Sequence, residues 1–214
     1  MWRDHSAVVL TAAVGILGAG GGSLAWRVLR HFAPETGRPA LAAMTAGAAA
    51  AFVWSALALP TGWTLLAGLV LVWFLICLAA IDLAVFRLPD ALTLPLICIG
   101  LATGLALPGA PVSERLVGAV AGYASLRLLA LAWRRWRGAE GIGAGDAKLL
   151  AAAGAWLGWR MLPTVVLVAC AAAFVVAGVR LVTRGREALR EPIAFGAPLS
   201  LSIFLVWLYD PYST

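Results

Sequence analysis

The chain has 214 residues, 63% of them hydrophobic and only 12% charged, with a mean hydropathy of +0.95, which excludes an ordinary soluble domain and indicates an all-α polytopic membrane helix bundle. A formal net charge of +6 would suit nucleic acid. The Lys and Arg residues, however, sit in short clusters between apolar runs rather than along one face, which reads as membrane topology with the lipid bilayer as partner and no nucleic acid.

The first apolar run, Ser6 to Trp26, is followed by Arg27 and Arg30 and leads to no small-residue cleavage site, so it is expected to be an uncleaved span with its N-terminus outside. Gly15, Gly18, Gly20, Gly21 and Gly22 in this run are expected to let another helix approach closely. A second run, Ala40 to Leu59, turns at Pro60-Thr61-Gly62 into a third, Trp63 to Ile81, and Asp82 ends it. The fourth spans Asp90 to Leu107; Pro108, Gly109 and Pro111 then break the chain before the fifth, Glu114 to Trp133. The sixth, Asp146 to Trp159, is short for a bilayer core of about 30 Å, so it should tilt, thin the membrane or extend through Met161. Leu162 to Val182 and Pro192 to Tyr209 complete eight expected transmembrane helices. Cys77, Cys98 and Cys170 lie inside apolar runs without a Cys-x-x-Cys pair or a nearby histidine, so they are expected to be small core hydrophobes, with no zinc site, no disulfide and no cofactor.

Eight spans put loops 27–38, 87, 134–148 and 180–190 on one face of the membrane, and these hold twelve of the sixteen Lys and Arg residues. The positive-inside rule makes that face cytoplasmic, and it carries Asp82, Asp90, Glu140 and Asp146 as well. Carboxylates at the edge of a membrane are costly and commonly functional. Two aspartates held close together cannot both ionise comfortably, so they share one proton, which is the chemistry of an aspartic protease. Gly141, Gly143 and Gly145 allow an extended or left-handed backbone and leave room for a substrate strand; Asp146 then falls at the N-cap of the sixth helix. Asp90, after Pro89, is similarly placed to cap the fourth helix. Asp82 has no such explanation, because an acid at a helix C-terminus opposes the helix dipole.

Three segments carry a resemblance. Ile81-Asp82-Leu83-Ala84-Val85-Phe86-Arg87-Leu88-Pro89-Asp90 is similar to an Asp-six residues-Pro-Asp/Asn motif. Glu140-Gly141-Ile142-Gly143-Ala144-Gly145-Asp146-Ala147-Lys148-Leu149 carries Gly-x-Gly-Asp, and Pro192-Ile193-Ala194-Phe195-Gly196-Ala197-Pro198 is similar to a Pro-Phe-Gly-Pro approach to a last span. In order and spacing the chain resembles the prepilin peptidases, membrane aspartic proteases of the Gly-x-Gly-Asp class related to archaeal preflagellin peptidases. The resemblance implies a six-helix catalytic core over residues 63–214, preceded by a two-helix membrane segment over 1–62 that lacks the family's four-cysteine loop.

It further implies that Asp82 and Asp146 are the catalytic pair, with Gly143, Gly145, Glu140, Lys148, Pro89 and Asp90 binding substrate or shaping the site. The substrate is then a type IV prepilin or pseudopilin, cut at the cytoplasmic face of a bacterial inner membrane beside pilus or secretion machinery. Such precursors carry a basic leader, a Gly before the cleaved bond, commonly Phe after it, and then a hydrophobic helix; Glu140 could attract the leader. N-methylation with S-adenosylmethionine, the second activity of full-length members, is not carried over, because Gly20-Gly21-Gly22-Ser23-Leu24-Ala25-Trp26-Arg27 is only a faint echo of their N-terminal segment. A non-enzymatic transporter or assembly factor would use the acids to carry ions or to pair with Arg87 and Lys148. An inactive peptidase relative would keep the motifs and only bind precursors.

Overall fold

The computed structural model describes residues 2–107, 109–138, 143–185, 187 and 192–209, with side chains from residue 9 onward. Among these residues there are eight α-helices: α1 Trp2–Phe32, α2 Arg38–Ala58, α3 Trp63–Val85, α4 Asp90–Ala106, α5 Val112–Arg137, α6 Ala144–Leu157, α7 Leu162–Arg184 and α8 Gly196–Tyr209. The segments α1, α2, α3, α5 and α7 are long and apolar enough to cross a membrane. The remaining helices, α4, α6 and α8, have 17, 14 and 14 residues, or about 21–26 Å at a rise of about 1.5 Å per residue.

The shortness of α6 follows from its surroundings. Every residue from Leu149 to Leu157 is buried, so protein encloses this helix on all sides and bilayer thickness does not set its length. It does not continue through Met161. Gly158, at φ +80°, interrupts it, and a single 3-10 turn over Trp159–Met161 leads into α7. Trp156, fully buried, donates its indole N–H to the Leu96 carbonyl at 2.9 Å and meets Trp207 edge-on at 5.3 Å, tying α6 to α4 and α8. Helix α8 begins at Gly196, one turn later than hydropathy suggests, because Pro192 to Phe195 form a lead-in that is not helical.

Helices approach closely where a side chain is missing. A Cβ on Gly18 or Gly22 would lie 2.8 or 2.6 Å from the α2 backbone at Ala49 or Thr45, as the packing expectation required. A Cβ on Gly21 would meet Trp73 at 3.3 Å, whereas one on Gly20 would meet nothing within 4 Å. The α5–α6 crossing is closer still: a Cβ on Gly118 would lie 2.7 Å from the Gly154 carbonyl oxygen and one on Gly122 2.5 Å from that of Leu150. Gly118→Ala and Gly122→Ala are therefore expected to lower stability by about 2 kcal/mol each. Gly20→Ala should leave it unchanged or raise it slightly. Thermal unfolding in detergent, followed by circular dichroism, distinguishes the two classes.

One expectation is corrected away from the acids. Of the three cysteines only Cys77 is buried; Cys98 is exposed and Cys170 half-buried. Arg115, in the first turn of α5, is 2% exposed. Its Nε donates to the Ala110 carbonyl at 2.9 Å and its Nη1 to the Gly100 carbonyl and Thr103 Oγ1 at 3.2 and 3.0 Å, so it closes the turn between α4 and α5.

Candidate active site

Asp82 lies in the last turn of α3 and is 5% exposed. A carboxylate there opposes the α3 dipole, and the compensation comes from another helix. The Ala197 N–H in the first turn of α8 donates to Asp82 Oδ2 at 3.0 Å, and the Gly196 N–H also faces this carboxyl. Asp82 thus caps α8 from outside, and the positive end of α8 offsets the negative end of α3. Pro198, the next residue, lacks an N–H where none is needed. Gly196 is required by space: a Cβ there would lie 2.8 Å from both Cγ and Oδ2 of Asp82.

Asp146 is half-buried in the first turn of α6. It is not the N-cap; Gly143 occupies that position, and the Asp146 carboxyl reaches back to the Gly143 N–H, as the third residue of a capping box does. Gly143 is extended at φ −66° and ψ 140°, and neither it nor Gly145 has a positive φ. Conformational freedom therefore does not account for these glycines. Gly145 is needed for close approach, since a Cβ on it would lie 2.8 Å from Leu88 Cβ.

Leu88 is buried in the connection between α3 and α4, and the positions that a Cβ on Gly145 and on Gly196 would take both lie against it. It thereby holds that connection against α6 and α8, a role no motif signals. Phe86, which ends α3, adopts a left-handed conformation at φ 53° without being glycine, a local strain that turns the chain sharply below Asp82. Pro89 is the N-cap residue of α4, its carbonyl accepting from the Leu92 and Thr93 amides at 3.1 Å each. Asp90 is the first residue of α4 and makes no side-chain cap bond; its carboxylate instead pairs with Lys148 of α6. Glu140 and Gly141 lie outside the described residues.

Asp82, Asp90, Gly143, Gly145, Asp146 and Lys148 line one cleft of about 930 Å³, with Phe86, Arg87, Leu88 and Pro89 in its wall. The Asp82 and Asp146 carboxyls are close enough to interact electrostatically. Phe32, at the end of α1, also lines the cleft. Its sequence context contains nothing to mark it. Among the described residues no three His, Cys, Asp or Glu side chains converge as a metal site. The Asp90–Lys148 pair is partly exposed, the side chains at 58% and 26%, so breaking it is expected to cost only about 0.5–1 kcal/mol of stability. Lys148→Met and Asp90→Asn, with the double variant completing a thermal-unfolding cycle, should give a coupling in that range.

The Type IV leader peptidase family matches residues 69–178, from the middle of α3 into α7. Curated relatives include the "Prepilin leader peptidase/N-methyltransferase" of Aeromonas salmonicida, 42% identical over 154 residues covering 71% of this chain and 53% of the relative. The protein of that name from Pectobacterium carotovorum is 44% identical over 160 residues, covering 74% of this chain and 54% of the relative. The one from Burkholderia pseudomallei is 47% identical over 122 residues, covering 57% and 39%. The chain spans about half the length of the curated relatives it matches. No solved structure matches it significantly. The matched region contains Asp82, Asp90, Asp146 and Lys148 and the α5–α6 glycine crossing, and on this evidence the chain belongs to the type IV leader peptidase family.

Proposed function

We propose that this chain is a membrane-embedded aspartic endopeptidase that removes the basic leader from type IV prepilins or pseudopilins. The observation that carries the reading is the meeting of Asp82 and Asp146, from helices distant in sequence, in one cleft that a substrate backbone can enter. The ionised carboxyl takes a proton from a water molecule attacking the scissile carbonyl, while the protonated one gives its proton to the carbonyl oxygen. Collapse of the tetrahedral intermediate returns a proton to the departing amine and leaves the pair sharing one proton again. The amides of α8 fix the Asp82 carboxyl, and the Gly143 amide orients that of Asp146.

Around this pair, Gly143, Gly145, Pro89, Asp90 and Lys148 shape the cleft, and Glu140 attracts the basic leader. Helices α3 to α8 form the catalytic core, with α1 and α2 accessory to it. The cleft faces the cytoplasm of a bacterial inner membrane, where the leader remains while the apolar helix that follows is in the bilayer, and the product passes to pilus or secretion machinery. N-methylation is not assigned.

Incubation of the detergent-solubilised or membrane-embedded protein with a panel of prepilins and pseudopilins, with products read by mass spectrometry, tests the reading. The expected product lacks its leader, cut after the glycine. Intact precursor throughout, with the protein folded, would overturn the proposal.

A further inference from the structure

A second concavity begins beside Asp82. It is a groove of about 330 Å³ between α2, α3 and α8, within their apolar stretches, and no charged residue lines it. Small residues floor it: Gly47, Ala50 and Ala51 of α2, Ala79 of α3 and Ala197 of α8. Ala79 is three residues before Asp82, and Ala197 is the residue whose N–H binds Asp82 Oδ2. The groove therefore lies along the same stretches of α3 and α8 that hold Asp82. At its other end Trp54 closes the groove, edge-on to Phe204 at 5.8 Å and donating its indole N–H to the Tyr209 hydroxyl at 3.3 Å.

Ser200 makes this more than a stripe of small residues. Its side chain lines the groove, is 2% exposed, and its hydroxyl has no hydrogen-bond partner among the described residues. An unpaired hydroxyl among apolar groups is unfavourable, and a docked helix can supply a partner from its own backbone or a small polar side chain. A neighbouring groove of about 250 Å³ between α3, α7 and α8 also reaches Ala197 and includes Leu83 beside Asp82, but Arg180 lines it. An apolar segment fits the uncharged groove better.

We infer that the groove between α2, α3 and α8 receives the hydrophobic helix that follows the scissile bond of the substrate, setting the register in which that bond meets Asp82 and Asp146. The inference rests on the peptidase reading. It specifies that the accessory helix α2 takes part in substrate binding, and that the substrate reaches the carboxyls laterally from the bilayer.

The test uses the full chain in membranes with a prepilin that the wild-type protein cuts. Ala50→Trp and Ala79→Trp fill the groove and are expected to raise KM on the order of tenfold while leaving kcat within about twofold. Ser200→Ala should raise KM by about threefold or less. Because tryptophan can also perturb folding, a second measurement uses protein carrying Asp146→Asn, Cys98→Ser and Cys170→Ser, which leaves only the buried Cys77. Ala50→Cys or Ile76→Cys on that background is expected to form a disulfide with a single cysteine in the prepilin hydrophobic segment, and Val176→Cys in the neighbouring groove is not. Disulfides at Val176→Cys alone or at none of the three positions, or an unchanged KM in both tryptophan variants, would overturn the inference, including the case where the groove holds only lipid. Failure of the wild-type protein to cut any precursor would strike the peptidase reading; cutting with unaltered KM in the variants strikes the groove alone.

Discussion

Asp82→Asn and Asp146→Asn are each expected to reduce kcat for leader cleavage by about 10³-fold or more, with little change in KM. An amide can neither take a proton from water nor share one with its partner. On the proposed mechanism the two carboxyls act as a unit, so the double variant should be scarcely worse than either single one. The choice of asparagine separates chemistry from folding. The side-chain oxygen of asparagine at position 82 can still accept the Ala197 N–H, which the carboxyl now does at 3.0 Å, so thermal unfolding should move little. Asp82→Ala removes that acceptor from the start of α8 and should cost about 1 kcal/mol in addition to activity. Cleavage that survives both asparagine substitutions would refute the dyad.

Gly196→Ala is expected to lower kcat by about 100-fold, although the residue takes no part in proton transfer. A methyl group there would lie 2.8 Å from Cγ and Oδ2 of Asp82 and 3.1 Å from Leu88 Cδ1, so it must displace the carboxyl, the lead-in to α8, or both. Gly143→Ala supplies the contrast at the other acid. Its φ of −66° suits any residue, and the added carbon would meet Asp146 Oδ2 at an ordinary 3.4 Å, so activity should stay within about threefold of wild type. Steady-state cleavage of a prepilin by the two variants, each checked for folding by circular dichroism, decides the matter. Equal activities would remove the account of why α8 begins with glycine.

Much of this arrangement is legible along the chain because membrane insertion reads contiguous stretches. The alternation of apolar runs with basic clusters separates eight helices, and counting turns between them brings Asp82, Asp90 and Asp146 to one end of the bundle, where the structure has them lining one cleft. The helix limits were less legible. Gly143-Ala144-Gly145 permits a start at several positions, and the actual start before Asp146 makes that residue the third of the helix instead of its cap. Asp90 offers a similar lesson. Its cap position was plausible from Pro89 alone, but Lys148, one turn into α6, is a stronger partner than the amides of α4.

By itself, then, the sequence determined a membrane bundle of eight helices with Asp82, Asp90 and Asp146 at one end, since hydropathy, charge clusters and helix breakers act over neighbouring residues. Only the tertiary structure decided what makes Asp82 tolerable at the end of α3. The amides that receive it belong to α8, at the far end of the chain, and no local pattern encodes a hydrogen bond between residues 115 positions apart. It likewise decided that Gly145 and Gly196 serve to bring Leu88 and Asp82 close, because whether a glycine provides a turn or a vacancy depends on what packs against it.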